Sequence, residues 1–265
     1  GMSLIILYYH NIIMSAIELK KNPKMKLDIP EFVCDNSPLG DHLNKYDMLK
    51  HLNCFGFTGI IGKPASGKTS WLVSTLTGKG EQKVFRKVFD NVLVVMPTSS
   101  RNSLKKNPFK KHDAGKMWDD LDWDTINSIY NSLLASSANK ETTMLILDDV
   151  GASMKKNEIQ TLLRKIIYNR RHLKVHIFIM LQSFISIPKE VRKLFTNVIM
   201  FKPSKVEFQN LFDELFETKK DKADAIMRFT YDKPHTYLFM NVESQKLYKN
   251  FDEIILPKDE EDTFV

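Results

Sequence analysis

Gly62-Lys63-Pro64-Ala65-Ser66-Gly67-Lys68-Thr69 matches the pattern G-x-x-x-x-G-K-[ST] in full. Glycines at this spacing let a backbone wrap a phosphate chain with its N–H groups pointing inward. Lys63, Pro64, Ala65 and Ser66 form the arc of such a loop, and Ser70 follows it. Lys68 has the reach for the β and γ phosphates of a nucleoside triphosphate, and the Thr69 hydroxyl suits Mg2+. The segment predicts a site for ATP with Mg2+.

Further along, Met144-Leu145-Ile146-Leu147 runs into Asp148-Asp149, an apolar stretch ending in two carboxylates. Asp148 suits the Mg2+ shell, and Asp149 suits a base that orients and deprotonates an attacking water. Strand ends often carry acids that simply meet solvent, so this pair gains its meaning from the phosphate loop. Gln182 closes a third apolar run, where it can face a terminal phosphate or the attacking water. Its alternative is a strand-end amide bonded to nearby backbone.

Three such groups meet only if strands deliver them to one edge. Phe57 to Ile61, Val92 to Met96, Met144 to Leu147, Val175 to Leu181 and Val198 to Phe201 are short and almost continuously apolar. That is the pattern of parallel strands buried on both faces. Amphipathic segments separate them: Ser66 to Thr77 before Gly78 and Gly80, Asp124 to Ala138, and Asn157 to Arg171. The alternation predicts an α/β fold, a mostly parallel central sheet flanked by helices. Beyond Pro203 a helix over Val206 to Phe216 precedes strands at Thr236 to Val242 and near Leu247, an antiparallel C-terminal edge.

The composition agrees with one such domain. The chain has 265 residues, 43% of them hydrophobic, 39 Lys+Arg against 32 Asp+Glu, and a net charge of +7. This excludes a wholly disordered or low-complexity polymer and mildly favours polyanionic partners. Cys34 and Cys54 make neither a disulfide framework nor a four-cysteine zinc site. Gly1 before Met2 reads as an appended residue, and Met14 is a second candidate start. Leu4 to Tyr9 is apolar but far short of a membrane span, with no basic segment before it to make a signal peptide. An edge strand or a docking arm is its expected role. Residues 1–53 read as an N-terminal arm, 54–256 as the ATPase domain, and 257–265 as an acidic tail.

From Phe55 to Pro203 the chain resembles the FtsK–HerA superfamily of P-loop (RecA/ASCE-like) ATPases. Within it, the chain resembles the A32-like genome-packaging ATPases of large double-stranded DNA viruses and virophages. The likeness rests on the phosphate loop, Asp148-Asp149, Asn169-Arg170-Arg171-His172 and Leu181-Gln182-Ser183. It implies a strand between the phosphate-loop strand and the acidic strand, so that Gln182 faces the γ phosphate. It also implies a homo-oligomeric ring, commonly hexameric, that hydrolyses ATP and drives double-stranded DNA into a capsid, with capsid or portal-vertex proteins as partners. A soluble protein of the infected cell's cytoplasm, or of the virion, follows. An arginine finger acting on a neighbour's nucleotide is implied, with Arg170 and Arg171 as its candidates. A basic helix C-terminus complementing its dipole is the competing account of both. Asp149 stands where many relatives carry Glu.

Arg101, Lys105, Lys106, Lys110, Lys111 and Lys116 cluster after the second strand, a candidate contact for DNA phosphates, with Phe109 available to stack. A solvated basic loop explains them equally well. Lys155-Lys156 is a weaker candidate. Among rivals, Asn44-Lys45-Tyr46-Asp47 matches the guanine-reading N-K-x-D but precedes the phosphate loop, which argues against a GTPase. A helicase would need a second domain. A nucleoside kinase lacking an arginine-rich lid, and a nucleotide-switched assembly protein with negligible turnover, remain as alternatives.

Overall fold

The computed structural model describes residues 17–23, 25–26, 42–43, 55–79, 84–104, 107–216 and 220–257. In chain order come β1 (Glu18–Lys20), β2 (Met25–Lys26), β3 (His42–Leu43), β4 (Phe57–Ile61), α1 (Lys68–Thr77), β5 (Asn91–Val95) and α2 (Thr98–Asn102). β6 (Met117–Trp118), α3 (Trp123–Ala138), β7 (Thr143–Asp148), α4 (Asn157–Tyr168), β8 (Val175–Leu181) and α5 (Lys189–Arg192) follow. The chain continues through β9 (Asn197–Phe201), α6 (Lys205–Leu215), α7 (Lys220–Thr230), β10 (Tyr237–Asn241), β11 (Lys246–Lys249) and β12 (Asp252–Ile255).

Among these, a 10-stranded sheet has the order β1-β12-β11-β10-β9-β4-β8-β7-β5-β6. From β9 to β6 the pairing is parallel, and from β10 outward it is antiparallel. The expected parallel centre and antiparallel edge are both present, and β8 stands between β4 and β7. β4, β7, β8, β9 and β10 are buried along nearly their whole length because both faces are covered. In β7, Leu145 and Leu147 join the layer of α3 and α4, while Met144 and Ile146 face the layer that holds Trp71 of α1. Trp71 is fully buried against Phe178 and Tyr237.

Helix ends follow local chemistry. Asp122 caps α3 by accepting from the Thr125 N–H, and Ser204 caps α6 through the Glu207 N–H. α4 buries Ile159, Leu163, Ile166 and Ile167 on one stripe. It stops at Tyr168, short of the expected Arg171, because Asn169 leaves helical geometry and a turn follows. α7 was not anticipated: Ala223 and Ala225, which pack much of its buried face beside Ile226, carry little hydropathy signal. β1, β6 and β12 are two to four residues long, too short for a period to register. Leu4 to Tyr9, Cys34, Cys54, Asn44 to Asp47, Gly80, Lys105, Lys106 and the acidic tail lie outside the described residues.

One buried group ties the starts of β4 and β8 together. His176 accepts the Gly56 N–H at Nδ1 (3.2 Å), so Nε2 carries the proton that Thr58 Oγ1 accepts at 3.1 Å. Burial, then the nearby Arg170 charge, push its pKa down to about 3. The unfolded chain therefore binds a proton that the fold excludes. Stability from this site is complete above pH 6.5 and falls by about 1.4 kcal/mol per pH unit below it, towards the folded value. Chemical denaturation of wild type and His176→Gln from pH 7 to 4 should show the variant losing less stability on acidification. Equal slopes would sink the assignment.

Candidate active site

The phosphate loop begins where β4 stops. Gly62 donates its N–H to Leu181 of β8 at 3.0 Å, so the loop is rooted between two strand ends. An added Cβ at Gly62 would collide with Ser66 Oγ and come within 2.9 Å of Phe201 Cβ, which requires glycine there. Gly67 takes φ 112° at the start of α1, a conformation that glycine alone enters at little cost.

α1 begins without a side-chain cap or an acidic residue in its first turn. α3 and α6 each have both. Its first N–H groups are thus left for an anion. Ser66 Oγ and Ser70 Oγ are buried with no hydrogen-bond partner, two polar atoms waiting on an acceptor or cation. Lys68 Nζ folds back to donate to the Gly62 carbonyl and, at 3.0 Å, to the Lys63 carbonyl. Burial pulls its pKa down, opposed by the charges of Asp148 and Asp149.

Strand register brings the carboxylates to the same edge. Asp148 is opposite Met180 and Ile61 is opposite Leu181, so β4, β8 and β7 end within a residue or two of one another. Burial, then Asp149, raise the Asp148 pKa to about 6, with Lys68 pulling the other way. Asp149 stands exposed in the left-handed region at φ 55°, which turns the chain sharply off β7. Gln182 is exposed directly after β8. Pro64, Ala65, Lys68, Thr69, Asp148, Asp149 and Gln182 all line one cleft of about 650 Å³.

The cleft also includes groups that sequence reasoning missed. Ser100 and Ser103 enter from α2, and Ser186 from the turn after β8. The missed signal is positional: parallel strands share an edge, so polar residues just after β5 were candidates too. Lys155, the weaker candidate for DNA, also lines this cleft.

ATP and Mg2+ fit this chemistry. An uncapped helix start, orphaned serine hydroxyls and a lysine within the loop suit a polyphosphate. Among the described residues no cluster of three or more His, Cys, Asp or Glu could hold a metal. A cation beside Thr69 and Asp148 would therefore draw ligands from phosphate and water, the habit of Mg2+.

Arg170 and Arg171 are elsewhere, in the turn before β8, a strand length from the phosphate loop. The Arg170 side chain is 15% exposed, donates to the Ile167 carbonyl, and pairs with Glu243 at 3.7 Å. Arg171 pairs with the same carboxylate but is 70% exposed. The basic segment after β5 also needs correction. Phe109 is 5% exposed and packed in the core, so it cannot stack on a base. Arg101 pairs with Asp119, and Lys116 donates to Asn91 at 2.7 Å. The segment leaves the nucleotide edge but returns to the start of β5, where His112 meets the Val92 carbonyl. Lys110 and Lys111 stay exposed.

Residues 45–246 match the model of the poxvirus A32 protein family. The chain belongs to that family. Among solved structures, the A32-family chain is similar to the genome packaging NTPase B204 of Sulfolobus turreted icosahedral virus 2 in complex with AMPPCP. That pair is 17% identical with a TM-score of 0.57, over 78% of this chain and 100% of the other. The same protein in complex with ATP-gammaS gives 16%, 0.55, 78% and 100%. B204, the DNA-packaging ATPase from Sulfolobus turreted icosahedral virus, gives 16%, 0.54, 78% and 100%. At such identities the likeness speaks to the fold. No curated protein sequence matches. The resemblance to A32-like ATPases drawn from the motifs is borne out, and the α/β architecture with it. No described helix of this A32-family chain is long and apolar enough to cross a membrane.

Asp148 offers a direct electrostatic check. Carbon-13 NMR of aspartate-labelled protein without nucleotide should find a carboxyl titrating near 6. Asp149→Asn should lower that value by removing a negative neighbour, and Lys68→Met should raise it by removing a positive one. An aspartate with an ordinary pKa in all three proteins would overturn the arrangement.

Proposed function

We propose that this protein is a Mg2+-dependent ATPase that translocates double-stranded DNA, packaging a viral genome into a capsid. The observation that carries the reading is the convergence of the phosphate loop, Asp148, Asp149 and Gln182 on one cleft in an A32-family chain. The genome-packaging description of B204, which shares the fold, adds support.

Phosphates bind the unclaimed N–H groups of the loop and of the start of α1, since Pro64 has none and Gly62 gives its own to Leu181, and Lys68 exchanges its loop carbonyls for the β and γ phosphates. Thr69 and Asp148 are the residues that would hold Mg2+, whose charge offsets that of the phosphates. Asp148 must be ionised for this, so the burial that raises its pKa to about 6 weakens metal binding as pH falls through that value. Asp149 orients a water and accepts its proton as oxygen attacks the γ phosphorus. The bond to the β-phosphate oxygen breaks, leaving ADP and inorganic phosphate. Gln182 faces the γ phosphate and the attacking water.

The chain acts as a homo-oligomeric ring, hexameric by family expectation, with capsid or portal-vertex proteins as partners in the infected cell. Arg171 is the better finger for a neighbour's nucleotide, because Arg170 is largely buried over Ile167 and Glu243. Of the described part of the basic segment after β5, Lys110 and Lys111 are exposed and available to duplex phosphates.

ATP turnover should rise with long duplex DNA and fall roughly 100-fold or more in Lys68→Ala and Asp149→Asn. Arg171→Ala subunits mixed with Lys68→Ala subunits should regain activity that neither has alone. A monomer by mass whose hydrolysis ignores duplex DNA would overturn the motor, and an active Asp149→Asn would overturn the base.

A further inference from the structure

Gln182 leads into a turn that two side chains clamp. Beyond β8 the chain runs through extended Ser183 into a short 3-10 turn, Phe184–Ser186, before α5. At the start of that turn, the Phe184 N–H donates to the Glu207 carboxylate. Just past its end, the Ile187 carbonyl accepts from Arg192 Nη1 at 2.9 Å. Arg192 also donates twice to Glu214, Nε to Oε2 at 2.9 Å and Nη2 to Oε1 at 2.6 Å. The two side chains are only 11% and 14% exposed. The buried Phe184 ring lies 5.0 Å beneath the Arg192 guanidinium. Both acceptors, Glu207 and Glu214, belong to α6.

Glu207 occupies the third position of its helix, after Ser204 has capped the helix through the Glu207 N–H. A glutamate there ordinarily reaches back to the capping residue's own N–H. Here its carboxylate reaches across to the turn that begins two residues after Gln182. Ser186, in that same turn, lines the cleft beside Gln182. The backbone around Gln182 is thus set by α6, an element that itself contributes nothing to the cleft lining.

We propose that Glu207 is a positioning residue for Gln182, with the Arg192–Glu214 pair as the second anchor of the same turn. The proposal rests on the reading that Gln182 meets the terminal phosphate and the attacking water. Glu207 touches neither. Without its acceptor the Phe184 N–H is released and the turn drifts, and a 1 Å misplacement of a reacting group costs on the order of 100-fold in rate. Nucleotide affinity stays, because the phosphate loop and α1 hold the phosphates independently of the turn.

The test is a double-mutant cycle on ATP turnover of the full chain, with kcat and KM separated and affinity for the non-hydrolysable analogue AMPPCP measured alongside. Glu207→Ala should lower kcat by about tenfold or more and leave KM and AMPPCP affinity within about twofold. Glu207→Gln keeps an accepting oxygen and should restore kcat to within about threefold of wild type. Glu207→Asp, one methylene shorter yet equally suited to a helix start, should lose kcat as the alanine does. It keeps the test open if the alanine variant does not fold.

On a Gln182→Ala background, Glu207→Ala should cost at most about twofold more, since its effect passes through the side chain already removed. Losses that multiply across the cycle would overturn the positioning role. So would an impaired Gln182→Ala beside a fully active Glu207→Ala. If Gln182→Ala itself turns over at the wild-type rate, the reading of Gln182 fails and this proposal falls with it.

Discussion

Parallel pairing of β8 with β4 on one side and β7 on the other is the constraint on which the site depends. Parallel strands end on the same side of a sheet, so whatever follows each of them must meet there. β4 delivers the phosphate loop, β7 the two aspartates, and β8 the glutamine between them. A one-residue slip in either ladder would send apolar side chains to the wrong layer and carry Asp148 or Gln182 away from the loop. The two buried layers that keep the strands in register therefore also align the chemistry.

That alignment concentrates charge in a partly dehydrated place. Lys68 and Asp148 each resist ionisation because of burial, and each restores the other's charge. Asp149 crowds Asp148 from the exposed side. The cleft is lined by two lysines, Lys68 and Lys155, and two carboxylates, while the start of α1 contributes partial positive charge without a carboxylate cap. A polyphosphate with its metal brings both signs, so it relieves the crowding of the aspartates and fills the bare helix end together.

Much of this was legible because the strong signals were local. The phosphate loop is contiguous, and the five central strands are apolar on both faces, so the parallel core and its edge chemistry follow from pattern. What escaped depends on contacts distant in sequence. Ser100, Ser103 and Ser186 are ordinary polar residues until the sheet brings their loops together. Phe109 looked available in an otherwise basic stretch because nothing local shows that it is buried against the sheet's flank. Arg170 and Arg171 are adjacent and identical in type, and only their unequal burial over Glu243 separates them. α7 was hidden by packing through alanine, and the short edge strands by length.

The left-handed backbone at Asp149 bears on residue choice as much as on geometry. Aspartate and asparagine enter that region several times more readily than most residues, because a short polar side chain can bond locally there. A glutamate would bring its carboxylate further into the cleft with less of that local compatibility, so the turn favours the shorter acid, although Gln245 shows that a longer side chain can enter the same region. An aspartate at position 149 is thus in keeping with how this chain leaves its strand.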